Sequence, residues 1–388
     1  MKVMLVHNSY QQSGGEDTVL ASEMNLLLRC GNEVNLFHLH NNTVNSVLKK
    51  IHTALHAPYS RAILHDLRAR ITLYNPDVVH VHNIFPLITP SVFDACRDMK
   101  VPVVYTLHNF RTVCPGALLL RDGRICEKCL HGTAYRAALY GCYRNSRIGS
   151  LAVARLVEYH RKRNTWRDKV DLFIALTQFA KRKFVEAGFS DKKIVVKPNF
   201  VAAPAPPDII KERNGALFVG RLSPEKGLRT ILDAWEKLEV PLQIAGKGPL
   251  LDEIVNRQND RICVRGHVSG NEISDLMFSA YVLIMASDCY EGFPMGLVEA
   301  FSHGLPVIAP RLGSMEELIQ DHVTGLLYEP GNAEDLAAKV KWAVYHREEL
   351  MRMGRNARKV YQDKYTPETN YSLLIEIYKQ AMLAKHDV

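Results

Sequence analysis

Long hydrophobic runs are missing from this 388-residue chain. The longest apolar stretches, such as Tyr281–Ala286 and Leu118–Leu120, fall far short of the roughly 18–20 residues that a membrane-crossing helix needs. Nothing in the pattern is built to span a bilayer. Low-complexity tracts and collagen-like periods are absent too, and with 47% hydrophobic and 23% charged residues the composition is that of a globular protein rather than a disordered or fibrous one. A cleavable leader pattern is also lacking: Met1–His7 turns into polar residues with no small-residue cleavage site and reads as a first strand. The expected location is therefore the cytoplasm, where the eight cysteines would be buried thiols or metal ligands rather than disulfides.

What is present is uneven. The net charge of +8 is the balance of +13 over residues 1–200 and −5 over the rest. Much of the excess lies in 131–169, where nine cations (Arg136, Arg144, Arg147, Arg155, Arg161, Lys162, Arg163, Arg167, Lys169) face only Glu158 and Asp168. Tyr135, Leu139, Tyr140, Ile148 and Leu151 stand among them. Such a mixture fits two readings: a solvated helix face that also packs on its own domain, or a surface helix meeting an anionic membrane. No helix-turn-helix, zinc-finger or RNA-binding signature accompanies the charge, so no nucleic-acid partner is expected.

Short apolar runs alternate with helical patterns throughout. Lys2–Val6, Glu33–Phe37, Asp77–Val81, Pro102–Thr106 and Asp171–Ala175 occupy the first half; Ala216–Val219, Leu242–Ala245, Ile262–Val264, Tyr281–Met285 and Pro306–Ala309 the second. This alternation predicts an α/β chain with two doubly wound parallel sheets. Lys197–Pro207 holds four prolines in eleven residues and reads as the linker. The expected domains are 1–198, with a cysteine-containing insert at 109–145, then 199–365, then a helix over 366–388 that packs back on the first domain, with Thr366 as N-cap and Pro367 at its first position. Ligand is expected in a central cleft faced by the carboxyl ends of both sheets.

The segment from Cys289 to Ala309 reads as loop, short helix, stop and strand, with Met295–Ser302 helical. Free amides at that helix start, together with its dipole, suit a phosphate. Glu291 lies in the loop and Glu299 in the helix, and a carboxylate binds vicinal hydroxyls well. Upstream, Val219-Gly-Arg-Leu-Ser-Pro-Glu-Lys-Gly227 is a strand entering a glycine turn. It places Arg221 and Lys226 where two cations would neutralise a diphosphate. Ser13-Gly14-Gly15-Glu16 follows the first strand, either as a plain turn or as a loop whose backbone approaches a ligand. His80, His82 and His108 sit at strand ends, a place where lone histidines are usually structural.

Together, Val219–Gly227 and the Glu291-x7-Glu299 segment resemble the retaining nucleotide-sugar glycosyltransferases of family four, which have the GT-B fold of two Rossmann-like domains, and the resemblance covers nearly the whole chain. It implies that Arg221 and Lys226 grip the donor diphosphate and that Glu291, with the Phe293–Gly296 turn (Pro294 and the amides of Phe293, Met295 and Gly296), holds the transferred sugar. It implies further that Glu299 binds the ribose, that Val268 in Arg265-Gly-His-Val268 lies near the base, and that Gly14 and Gly15 approach the ligand. His108 matches the family's active-site histidine. The family's same-face mechanism needs no cofactor and no catalytic metal. A glycan or lipid-linked acceptor, as in cell-surface polysaccharide or glycolipid assembly, is the expected second substrate. A non-catalytic scaffold on the same fold is the alternative.

One insert departs from that pattern. Cys114-x11-Cys126-x2-Cys129-x12-Cys142 offers four thiolates, enough for a closed structural zinc site. Equally, it reads as four reduced thiols packed in a loop.

Overall fold

The computed structural model describes residues 1–11, 14–205 and 213–386. Ser13 and the Pro206–Pro207 end of the expected linker lie outside the described residues. The chain forms two units: Met1–Leu119, Cys126–Asn199 and the chain from Asn370 onward make the first, Leu120–Ile125 and Phe200–Thr369 the second.

The first unit is built on strands β1 (Lys2–Ser9), β2 (Glu33–His40), β3 (Val78–Val81) and β4 (Val103–Leu107). A small antiparallel hairpin, β5 (Leu120–Arg121) and β6 (Arg124–Ile125), precedes β7 (Leu172–Ala175) and β8 (Ile194–Val196). The six-stranded sheet runs β2-β1-β3-β4-β7-β8 and is parallel throughout. Every residue of β3, β4 and β7 is buried, the continuous pattern of a parallel sheet covered on both faces rather than the alternation of a half-exposed one.

The second unit repeats the design with β9 (Ala216–Val219), β10 (Leu242–Ala245), β11 (Ile262–Gly266), β12 (Val282–Ile284), β13 (Val307–Pro310) and β14 (Gly325–Tyr328). Its order is β11-β10-β9-β12-β13-β14, again all parallel. Strand order reverses at β1/β3 in the first sheet and at β9/β12 in the second, and just beyond the carboxyl ends at such a switch point the two connections diverge and leave room for a ligand. The fold is the two-domain α/β arrangement expected, GT-B.

Two strands of the parallel sheets, besides the β5–β6 hairpin, escaped the sequence reading. β8 is three residues long. β14, Gly-Leu-Leu-Tyr, has no β-branched residue, and its glycine is required because a Cβ on Gly325 would stand 2.2 Å from the Val307 carbonyl oxygen. The helix Pro367–His386 joins the first unit from Asn370 onward, burying Leu374, Ile377, Tyr378 and Ala381. Its Tyr378 hydroxyl lies 2.8 Å from His80 Nδ1, and Tyr371 accepts from Asn32 Nδ2 at 3.0 Å. Lys197, read as linker, is completely buried in the first unit; its proline-rich neighbours mark the boundary but the lysine itself belongs to the core.

Candidate active site

In the second unit the loops after β9 and β12 meet at the switch point. Lys226 Nζ donates to Glu291 Oε1 at 2.6 Å, and Ser287 Oγ donates to the same oxygen at 2.6 Å. Burial alone would push Lys226 down and Glu291 up, but for each the partner's charge and the hydrogen bonds together outweigh it, so the lysine lies above its ordinary value and the carboxyl below. Both groups are thus ionised at neutral pH, and because both donors converge on Oε1, Oε2 is left to accept from a ligand hydroxyl.

The surrounding loops leave little freedom. Gly227 has φ 64°, and a Cβ there would stand 1.8 Å from the Ala286 carbonyl oxygen. Gly246, at the end of β10, has φ 156° and the same clearance to the Gly220 oxygen. Only glycine fits either place. Ser314 Oγ donates to the Glu291 carbonyl at 2.8 Å, and Asp288 N to the Glu225 carbonyl at 2.9 Å.

Arg221 donates to Glu225 Oε1 at 3.0 Å, an oxygen that Ser223 also reaches at 2.7 Å, and its side chain is 59% exposed. The helix Met295–Ser302 begins at Pro294 with no side-chain cap; Leu297 N donates to the Pro294 carbonyl at 3.0 Å, and the amides of Met295 and Gly296 remain for a ligand. Phe293 is buried, its ring 6.0 Å from that of Tyr365. Glu299, half-buried on this helix, has its carboxyl pushed up by burial, while its backbone carbonyl is taken by His303 Nδ1 at 2.7 Å. Val268 is half-buried just before the helix Gly270–Ser279. Lys226, Glu291 and Arg221 are thus held in one constellation, with Glu225, Ser287 and Ser314 as supporting residues that the sequence reading did not single out. Glu225 was inside a quoted motif; the two serines carried no signal.

In the first unit Gly14 and Gly15 are exposed at the start of the helix Gly15–Arg29, where no atom would lie within 4 Å of an added Cβ. Asp17 Oδ2 accepts from Gly14 N at 2.8 Å, and Asp17 Oδ1 accepts from Ser9 Oγ at 2.6 Å and lies 2.9 Å from His7 Nε2. Glu16 accepts from Asn109 Nδ2 at 2.5 Å; burial holds its carboxyl up at about 7, and its other oxygen is buried with no hydrogen-bond partner among the described residues.

His108, half-buried after β4, places Nε2 3.0 Å from Nδ1 of buried His82. His80 is structural: its two nitrogens lie 2.8 Å from Tyr378 Oη and 2.7 Å from Thr106 Oγ1. Behind His82 stands Glu23, which the sequence reading missed because a glutamate in the middle of a helix looks solvated until the fold shows it 1% exposed.

None of the eight cysteines is joined in a disulfide. Cys114, Cys126 and Cys142 all lie close enough to Cys129 to disfavour its thiolate, which burial pushes up first, to about 12. Burial pushes the Cys114 thiol up, while the neighbouring backbone amides of Leu119, Gly116 and Ala117 act the other way. Arg161 ties the insert to the helix Arg147–Lys162 by donating to the Cys129 and Gly132 carbonyls at 2.9 and 2.8 Å. Among the described residues, the clusters of three or more ligand atoms within 4.8 Å of one another are Glu23/His80/His82 and Glu127/His131/Glu186, so the four sulfurs are not drawn to coordination distance.

The fold and these two constellations define a GT-B protein. A model described as Glycosyltransferase Family 4 matches residues 14–203, and one described as Glycosyl transferases group 1 matches 202–360. The chain belongs to the group 1, family 4 glycosyltransferases. An uncharacterized glycosyltransferase of Methanocaldococcus jannaschii, MJ1178, is 30% identical over 171 residues, 43% of this chain and 48% of that protein. The sulfoquinovosyl transferase SQD2 of Arabidopsis thaliana is 32% identical over 152 residues, 38% of this chain and 30% of that protein. The match thus spans less than half the length of either relative. Anabaena HepE in complex with UDP-glucose has the same fold, with a TM-score of 0.68 at 19% identity, covering 100% of both chains.

Proposed function

We propose that this protein is a retaining glycosyltransferase that moves a sugar from a nucleoside diphosphate sugar to a hydroxyl of a glycan or lipid-linked acceptor, in cell-surface polysaccharide or glycolipid assembly. The carrying observation is the Lys226–Glu291 pair at the β9/β12 switch point, beside Arg221 and an uncapped helix N-terminus. As the glycosidic bond breaks, negative charge grows on the leaving diphosphate. Lys226, Arg221 and the amides from Phe293 to Gly296 are fixed positive groups that stabilise it without a divalent ion. Glu291 Oε2 accepts from hydroxyls of the transferred sugar, Glu299 from the ribose, and Val268 flanks the base. On the first unit, Gly14 and Gly15 open the backbone to a ligand and His108 faces the transferred sugar. Attack on the donor face from which the diphosphate leaves lets that phosphate take the acceptor proton. The protein's part is positioning and electrostatics. The UDP-glucose held by the structural neighbour supports a nucleotide-sugar donor.

The acceptor's character follows from the first unit's surface. Arg161 and Lys169 are turned inward, onto Glu158 and Asp94, but Arg136, Arg144, Arg147 and Arg155 are exposed beside Leu139 and Ile148. The helix Val47–His56 exposes Val47, Leu48, Ile51 and Leu55 next to Lys49 and Lys50. Cations mixed with apolar side chains suit peripheral contact with an anionic membrane at the cytoplasmic face. No helix among the described residues is long and apolar enough to cross one. The cysteine insert is proposed to hold a structural zinc. The three backbone amides beside Cys114 would favour a thiolate there, and the metal would draw the other sulfurs in.

Saturation-transfer NMR against uridine, guanosine, adenosine and thymidine diphosphate sugars tests the reading, with Arg221→Ala and Glu299→Ala alongside. One donor should bind selectively and be lost in both variants, and the anomeric signal of the product should match the donor. A folded protein that binds none of the donors refutes the assignment.

A further inference from the structure

The histidine proposed to face the sugar is backed by a buried relay. Glu23 projects from the helix Gly15–Arg29 and is 1% exposed. Its Oε1 accepts from Lys197 Nζ at 2.5 Å, and its Oε2 lies 3.3 Å from His82 Nε2. Neither Oε2 nor His82 Nε2 completes a hydrogen bond among the described residues, and the two buried atoms face each other across that gap. His82 Nδ1 in turn faces His108 Nε2 at 3.0 Å, with the rings stacked at 5.2 Å.

Proton positions along this row are dictated from its buried end. Burial would raise Glu23, but the charge and hydrogen bond of Lys197 act against it and the carboxyl lies below its ordinary value, so it is a carboxylate and can only accept. Burial keeps His82 well below its ordinary value and His108 at about 3, so both rings are neutral and each carries one proton. A bare His82 nitrogen facing a carboxylate oxygen would set two lone pairs against each other. The His82 proton therefore sits on Nε2, its Nδ1 is an acceptor, and His108 must place its own proton on Nε2 to meet it.

We infer that Glu23 and His82 are positioning residues that lock His108 as the Nε2–H tautomer, so that His108 Nδ1 is a hydrogen-bond acceptor and the ligand group it meets is a hydroxyl rather than a phosphate or carbonyl oxygen. This rests on the reading of His108 as a sugar-facing residue. The remaining charged and titratable neighbours agree with it: Lys197 is spent on Glu23 and Asn370, His80, whose ring centre lies 4.2 Å from that of His82, is kept neutral by burial and pairs with Tyr378 and Thr106, and His7, also lowered by burial, lies 6.4 Å from His82, ring centre to ring centre.

The test is long-range proton–nitrogen NMR of the full chain labelled at histidine, with no donor present, His82 and His108 being assigned by loss of signals in His82→Gln and His108→Gln. Both rings should show the Nε2–H pattern, unchanged between pH 6 and 8. A proton on His108 Nδ1, or an imidazolium at either ring, overturns the inference even if donor binding is normal. Conversely, correct tautomers with no donor binding would leave the relay standing and sink the transferase reading. Replacing the carboxylate by an amide, which can donate, should invert the row. The Glu23→Gln/Lys197→Met double variant, which strands no charge, should move both protons to Nδ1. With UDP-glucose as probe it should bind on the order of tenfold more weakly, the worth of about one hydrogen bond. Unmoved tautomers in that variant would show that Glu23 does not set them.

Discussion

Replacing Lys197 by methionine removes one charge from the most deeply buried ion pair in the first unit. Lys197 and Glu23 side chains are 1% and 2% exposed, and Nζ also donates to Asn370 Oδ1 at 3.1 Å, so the lysine joins the end of β8, the first helix and the C-terminal helix. Two unit charges at this separation attract by about 6–7 kcal/mol at an effective dielectric constant near 20. Most of that offsets the desolvation of both groups, so the pair's net worth is small. Its loss on one side is not, because the stranded carboxylate keeps its desolvation cost, and about 3–5 kcal/mol is expected for Lys197→Met. The cost has a ceiling, since Glu23 would rise and take up a proton. In the wild type its carboxyl lies below the ordinary value, so its stabilisation is present above the unfolded pKa and is lost as pH falls through the folded one. The deficit of Lys197→Met should accordingly shrink in acid. Native-state hydrogen exchange read by mass spectrometry is the suitable assay, because a two-unit chain need not unfold in one step. Protection should fall over 15–29 and 194–199 and hold over 295–302, and adding Glu23→Gln should restore much of the loss. A cost below about 1 kcal/mol, or a double variant less stable than the single, would refute this account of the pair.

Glu16, with its carboxyl raised to about 7, favours the fold only below its unfolded value and loses that contribution as pH rises through about 7. Glu16→Gln should therefore gain about 1–3 kcal/mol over the wild type at pH 8.5 and nothing at pH 4, in paired thermal melts; equal melting shifts at both would contradict the shift. Gly246→Ala should lower stability by roughly 2 kcal/mol or more and abolish donor binding, whereas Gly270→Ala, with open space around an added Cβ, should cost little; comparable melting points would disprove the close approach to Gly220. Protein purified without chelator should contain about one zinc per chain, reduced by Cys129→Ser. Protein purified in this way that carries no zinc, and takes up none when zinc is added, would retire the zinc proposal.

Much of the second sheet was legible because its evidence is local. The apolar runs of β9, β10 and β13 are bounded by glycine or proline, the helix Met295–Ser302 starts and stops where Pro294 and Gly304 place it, and the Arg221, Lys226 and Glu291 motifs lie in the loops that the strand order brings to one edge. Backbone propensity and hydrophobic period are properties of neighbouring residues, and so they survive in a bare sequence. What depends on distant residues did not. Nothing local distinguishes Glu23 from a solvated helix glutamate, Lys197 from a linker cation, or His82 from a packing histidine. Burial and pairing across 174 positions make them a charged, proton-ordering row. The partition of 131–169 was likewise decided by packing, which turned Arg161 and Lys169 inward and left Arg147 and Arg155 outside. The sequence by itself determined the strands, their alternation with helices and the motifs at their ends. Only the tertiary structure decided which charges lost their water, and that loss is what makes a buried charge costly, selective and able to order its neighbours.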